Sequence, residues 1–123
     1  MEWAEELPHQ CPPAEATPPE NVTYYRYVAS IPLREDDFHS QRKHFPLKQF
    51  GIDECIARAV SVFSDPEKIK SLNKLPNLRG KKLIEIILTP ESGVVIRSCS
   101  KEHHYSWWRV KGFIPATYKL VTS

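Results

Sequence analysis

Glycine is scarce, with four in 123 residues. None falls in the spacing that lets a backbone loop cradle phosphates, so a glycine-rich nucleotide loop is excluded. Long apolar runs are missing as well. None approaches the roughly 18 residues that cross a bilayer, so no membrane partner is expected. The opening "MEWAEELPHQC" is acidic and lacks the basic start and apolar stretch of a secretory signal; the expected location is the cytoplasm. Cysteine appears three times, at Cys11, Cys55 and Cys99. That is too few for a disulfide framework, and no close pair marks a zinc site, so all three are expected to be reduced thiols. His39 and His44 are five apart, His103 and His104 are adjacent, and no thiolate or carboxylate completes a familiar ligand spacing. No metal is expected. No serine sits in a nucleophile elbow. Charge of one sign is also lacking: a net +2 implies no nucleic-acid partner by itself and leaves that partner to local clusters.

What is present is an ordinary globular composition, 41% hydrophobic and 26% charged, on a chain long enough for one modest core. Residues 1–22 hold Pro8, Pro12, Pro13, Pro18 and Pro19. Each removes a backbone donor and turns its predecessor away from helix, which predicts an extended N-terminal arm with Trp3 and Leu7 as apolar anchors. Residues 23–123 form the single expected folded domain.

Within that domain "TYYRYVAS" alternates, placing Tyr24, Arg26 and Val28 on one face and Tyr25, Tyr27 and Ala29 on the other. This predicts a first strand. "REDDFHSQRKH" runs from acids to bases, a polarity suited to a short helix. "DECIARAVSVF" opens with a helical turn and continues as a short buried strand. In "SDPEKIKSLNKLP" either Ser64 or Asp65 caps a helix with Pro66 in its first turn, Glu67 closes a box with Ser64, and Ile69 and Leu72 form a stripe that Pro76 ends. "KKLIEIIL" and "GVVIRSCS" are expected to pair as a hairpin across "TPESG". "YSWWRV" and "ATYKLVTS" supply further strands. The predicted class is α+β, a mainly antiparallel sheet of five or six strands with two or three short helices.

Chemistry concentrates in "SKEHHYSWWRVKGF". Neighbouring strand residues face opposite ways, so only one of His103 and His104 is expected to serve a site, as acid, base or phosphate ligand. Trp107 and Trp108 divide in the same manner, one in the core and one near the surface, where an indole stacks on a planar ring or simply closes the sheet edge. Arg26, a guanidinium in an apolar strand, must find an anion. Glu54, Glu85 and Asp65 are structural candidates, and a bound phosphate is the functional one. Lys68, Lys70, Lys74, Arg79, Lys81 and Lys82 form a basic cluster that attracts phosphate or is a solvated face.

Taken together, "CPPAEA", "YYRYV", "DDFHS", "ECIARAVSVFSD", "LPNLRGKKL" and "HHYSWW" resemble a family of small bacterial proteins to which no activity is assigned. A more remote likeness, over residues 23–108, is to compact ADP-ribosyltransferase-like domains. It implies NAD as cofactor, with Arg26 on a phosphate or ribose, Ser61 steadying the first strand, and Tyr25 or Trp107 stacking on nicotinamide. That fold normally uses a carboxylate on the ribose. Glu85 and Glu102 are the candidates here, neither in the family's acidic motif, with His103 as a substitute by hydrogen bonding.

The first expectation is therefore an ADP-ribosyltransferase-like domain that binds NAD or a related nucleotide, with Arg26, Glu102, His103 and His104 as its catalytic candidates. Two alternatives from other classes stand beside it. One is a protein-binding module built on exposed aromatic side chains and the proline-rich arm. The other is a metal-independent ribonuclease that pairs His44 with His103 or His104.

Overall fold

The aromatic and β-branched alternation of "VTYYRYV" gives the first strand, β1 (Val22–Val28), in the computed structural model, which describes residues 2–71, 80–99 and 103–121. Five more strands follow: β2 (Val60–Phe63), β3 (Lys82–Leu88), β4 (Gly93–Cys99), β5 (His104–Arg109) and β6 (Tyr118–Leu120). They form one antiparallel sheet in the order β4-β5-β2-β1-β3-β6. Three short helices, α1 (Gln41–His44), α2 (Glu54–Ala57) and α3 (Pro66–Lys70), complete an α+β fold. Among the described residues no helix is long and apolar enough to cross a membrane.

The sheet is two three-stranded halves joined by a narrow seam. β1 pairs with β3 along its whole length, from Val22 opposite Leu88 to Val28 opposite Lys82, and β2 pairs with β5 from Val60 opposite Trp107 to Phe63 opposite His104. Between β1 and β2 the register holds a single pair, Tyr25 opposite Phe63. Beyond that pair the strands part, and the candidate site lies where they do.

The expected hairpin between "KKLIEIIL" and "GVVIRSCS" does not form. β3 lies between β1 and β6, whereas β4 lies at the far edge against β5. The intervening Pro90–Ser92 closes as a 3-10 turn, with Ser92 donating from N and Oγ to the Thr89 carbonyl. That is not the two-residue connection that folds one strand back on the last. Gly93 then passes under β5 with φ of 130°, where an added Cβ would lie 2.0 Å from the Trp108 carbonyl oxygen. Only glycine fits there.

"REDDFHSQRKH" also resolves differently, into a 3-10 turn (Glu35–Phe38) and the separate α1. Ser40 divides them because its Oγ accepts from Lys43 N and starts a new helix. At α3 the cap is Asp65, which accepts from Glu67 N, with Pro66 in the first turn. Ser64 takes no part in a capping box. Its N–H goes to the His103 carbonyl. Leu72, Lys74, Pro76 and Arg79 lie outside the described residues.

One face of the sheet carries the main core: Tyr24, Val28, Val62, Ile84, Ile86 and Trp107 pack with Phe38, whose ring meets Trp107 edge-on at 5.9 Å. The other face is covered in two separate patches. Trp108 is buried by α2 and by Trp3, Leu7, Cys11 and Ala16 of the arm, and Phe63 and Leu83 are buried by Ile69 of α3. Residues 2–21 are thus strapped down. Thr17 exchanges both backbone hydrogen bonds with Val95 on β4, and Trp3 bridges to Val110.

The strap corrects two expectations. Cys11 and Cys55 form a disulfide, with Cα atoms 5.7 Å apart, and are not reduced thiols. Spacing could not show this, since only the fold brings positions 44 apart together. And neither tryptophan is near the surface: Trp107 and Trp108 are 0% and 1% exposed, because the arm and α2 form a layer that the sheet alone would lack.

Candidate functional site

Between the two covering patches, at the open seam, lies a cleft of about 520 Å³. Its walls come from four parts of the chain. β1 supplies Arg26 and Tyr27, and β2 and β5 supply Ser61 and His104. The segment after the 3-10 turn supplies His39, His44 and Phe45, and the start of the β3 run supplies Lys81.

Alternation sends Arg26 toward the core with Tyr24 and Val28, yet its guanidinium emerges through the seam. Where the β1–β2 ladder stops, a strand carbonyl loses its partner and needs another donor. Arg26 provides it. Nη1 donates to the Ser61 carbonyl at 2.7 Å, and Nε donates to the Asp37 carbonyl at 3.0 Å. Its other terminal nitrogen makes no hydrogen bond among the described residues. Glu54, Glu85 and Asp65, the expected ion-pair partners, do not reach it. Glu54 binds Arg42 and Arg58, Glu85 accepts from Tyr25, and Asp65 caps α3.

Desolvation draws the Arg26 pKa down to about 10, and the repulsion of Arg109 adds to this against the attraction of Asp37. Asp37 is itself buried, with its carboxylate committed to the N–H groups of Ala29 and Arg34 at 3.0 and 2.8 Å. Arg109 is a useful contrast. It is a buried guanidinium that forms a fork with Glu35 at 2.6 and 3.2 Å and holds that carboxyl below its ordinary range. One buried arginine has its anion. The other reaches a cleft without one.

Beside the neutral polar side chains of Tyr27, Ser40, Gln41 and Ser61, the cleft holds Lys81 and the imidazoles of His39, His44 and His104. His39 and His44 face one another with ring centroids 5.6 Å apart. The His44 pKa is lowered by partial burial and by the neighbouring His39, Lys81 and Arg26, with Asp36 acting the other way. That of His104 is lowered by burial, its ring edge-on to Phe63 at 5.1 Å. Among the described residues no carboxylate lines the cleft, and no three His, Cys, Asp or Glu side chains are placed to hold a metal ion.

The arm reaches this site as well. Glu5 accepts from Ser40 N at 2.8 Å and from Ser40 Oγ at 2.5 Å, and Ser40 caps the helix that carries His44. Neither Glu5 nor Asp37 is recognisable in the sequence as part of a site, since each acts through a contact distant along the chain. His39 and Lys81 carried only a weak signal, in a histidine spacing and a basic cluster.

Of the residues singled out from the sequence, Arg26, Ser61 and His104 share the cleft. Tyr25, Trp107 and His103 do not line it. Tyr25 donates to Glu85 at 3.2 Å and packs under α3. Trp107 sits in the main core, its Nε1 donating to the Ser92 carbonyl. His103 occupies a turn with φ of 53°, beside Ser64 Oγ. That turn is what separates the adjacent histidines. Glu102 lies outside the described residues.

Comparison with known proteins finds no match to this chain: no family model, no curated protein and no solved structure.

Proposed function

We propose that the cleft binds a nucleotide through its phosphate, with NAD or a related nucleotide as ligand. The observation that carries this reading is Arg26, a desolvated guanidinium fixed by two carbonyls, with a free terminal nitrogen and no carboxylate on it, at the bottom of a cleft lined by Lys81 and three imidazoles. Such a site suits a phosphate, because a charge-assisted bond to its oxygen is strongest where water is displaced. Tyr27 and Phe45, not Tyr25 or Trp107, are the rings on which a base or nicotinamide would lie. Ser61 acts through its carbonyl by fixing the guanidinium. The ADP-ribosyltransferase likeness agrees with these roles for Arg26 and Ser61, but group transfer of that kind also calls for a carboxylate on the ribose. The proposed function is accordingly nucleotide binding. For the interaction module, the arm is strapped down and both adjacent tryptophans are buried, which leaves the exposed Phe45 as the aromatic side chain it would use.

Calorimetry with NAD, ADP and pyrophosphate tests the reading. Binding is expected for the wild type. Arg26→Leu is expected to weaken it by at least about a hundredfold, the equivalent of one or two charge-assisted hydrogen bonds. Lys81→Ala, at an exposed position, is expected to weaken it by about two- to fivefold. No heat with any of the three ligands at millimolar concentration would set the reading aside.

A further inference from the structure

Two features at the cleft offer more than the holding of a nucleotide asks for. The first is the pair His44 and His104, which approach one cavity from different sides, His44 from α1 and His104 from the start of β5. The second is the segment 45–52, "FPLKQFGI". Arg42 Nη1 gathers it by donating to the carbonyls of Phe45, Pro46 and Lys48. Thus organised, it holds its apolar groups out to solvent: Phe45 is 51%, Leu47 96% and Ile52 49% exposed. Cations lie over its rings, with Arg42 4.8 Å from the centroid of Phe50 and Lys48 5.4 Å from that of Phe45. Phe45 belongs both to this platform and to the cleft wall. Between Gln41 and Ile52 there are three basic residues, Arg42, Lys43 and Lys48, and no acidic one; Arg42 is paired with Glu54 just beyond the segment.

Exposed aromatic rings interleaved with cations are the chemistry that receives unpaired bases and the phosphates between them. A cationic phosphate seat flanked by two imidazoles is the chemistry that moves protons during phosphodiester cleavage. We propose that the protein cleaves single-stranded RNA without a metal, with bases resting on the 45–52 platform and a phosphodiester held at Arg26 and Lys81 between His44 and His104. The proposal rests on the phosphate-binding reading of the cleft and adds to it a polymeric substrate and a reaction.

One imidazole of the pair, neutral, accepts the proton of the ribose 2′-hydroxyl as O2′ forms its bond to phosphorus. The P–O5′ bond breaks, and the other imidazole, protonated, gives its proton to the departing O5′. The products are a 2′,3′-cyclic phosphate and a 5′-hydroxyl end. No proton is gained or lost overall, and no oxidant or water enters. Arg26 and Lys81 offset the charge that builds on the phosphoryl oxygens.

The test uses the full chain with a labelled RNA oligonucleotide in the presence of EDTA, alongside calorimetry with ADP and pyrophosphate. Cleavage is expected, leaving cyclic-phosphate and 5′-hydroxyl ends, while the all-deoxy oligonucleotide stays intact for want of its nucleophile. His44→Ala and His104→Ala are each expected to slow the reaction by about a hundredfold or more. His44 is exposed, so its variant keeps the fold and serves as the decisive one. Phe45→Ala is expected to raise KM by about tenfold with kcat nearly unchanged. Both imidazoles titrate below the ordinary histidine value, under the influence of Arg26, His39, Lys81 and Asp36 at His44 and of burial at His104. The kcat/KM profile should therefore be bell-shaped with its maximum on the acid side of about pH 6.5. Intact RNA in a sample that binds ADP or pyrophosphate would overturn this proposal alone, as would cleavage unchanged in His44→Ala. Absence of both binding and cleavage would overturn the phosphate-binding reading together with it.

Discussion

Severing the Cys11–Cys55 bond is expected to cost the fold about 4 kcal/mol, by loop-closure entropy for residues 44 apart in sequence. In a chain of this size that corresponds to a fall in melting temperature of roughly 10 to 20 °C. The structural part of the loss falls on one patch. Cys55 is 7% exposed and packs with Trp108, which the arm covers through Trp3, Leu7, Cys11 and Ala16. Once the arm is released, a tryptophan that now donates to the Cys55 carbonyl at 3.0 Å becomes accessible to water. Thermal melts of Cys11→Ser, Cys55→Ser and the wild type with and without dithiothreitol measure the effect, and the emission wavelength of tryptophan reports the exposure. Equal melting temperatures for all of them would show that the arm is held by its other contacts alone.

Trp107→Ala is expected to cost about 3 to 5 kcal/mol, the usual range for removing a large aromatic side chain from a core. Trp107 is fully buried, meets Phe38 and Phe113 edge-on at 5.9 and 6.1 Å, and satisfies the Ser92 carbonyl through Nε1. Chemical denaturation of the variant checks the magnitude. Trp107→Phe separates packing from ligand contact. It should retain most of the stability and leave nucleotide affinity unchanged, since the ring that stacks on a ligand is Tyr27 or Phe45. A Trp107→Phe protein that folds normally and loses nucleotide binding would place the indole at the ligand after all.

The elements could be read from the sequence because their causes are local. "TYYRYV" and "YSWWR" are rich in the aromatic residues that strands favour, and "SDPEK" carries a cap and a first-turn proline that open a helix. The partners could not be read, because neighbours in sequence need not be neighbours in a sheet. β3 and β4 are both apolar runs across a turn-like pentapeptide, yet a 3-10 turn at Pro90–Ser92 sends them to separate halves. Arg26 stood out in the sequence because a charge in an apolar strand demands an explanation. The nature of that explanation did not, since it depends on a seam of one residue pair. His44 became part of the cleft only because Ser40, held by Glu5, cut the expected helix in two. Of the two adjacent histidines only His104 lines the cleft, and the left-handed backbone at His103, which strand alternation does not foresee, separates them.

The Thr17–Val95 bridge has a bearing on how this molecule meets its own copies. The outer border of a sheet offers idle amides and carbonyls to any passing chain, the usual start of intermolecular stacking. One border here, β6, is three residues long and so a poor template. The other, β4, is seven residues long, and the arm shields its middle by occupying both bonding groups of Val95. Clipping the first twenty residues would thus uncover a sticky rim, and the proline-rich start acts as a built-in guard against aggregation.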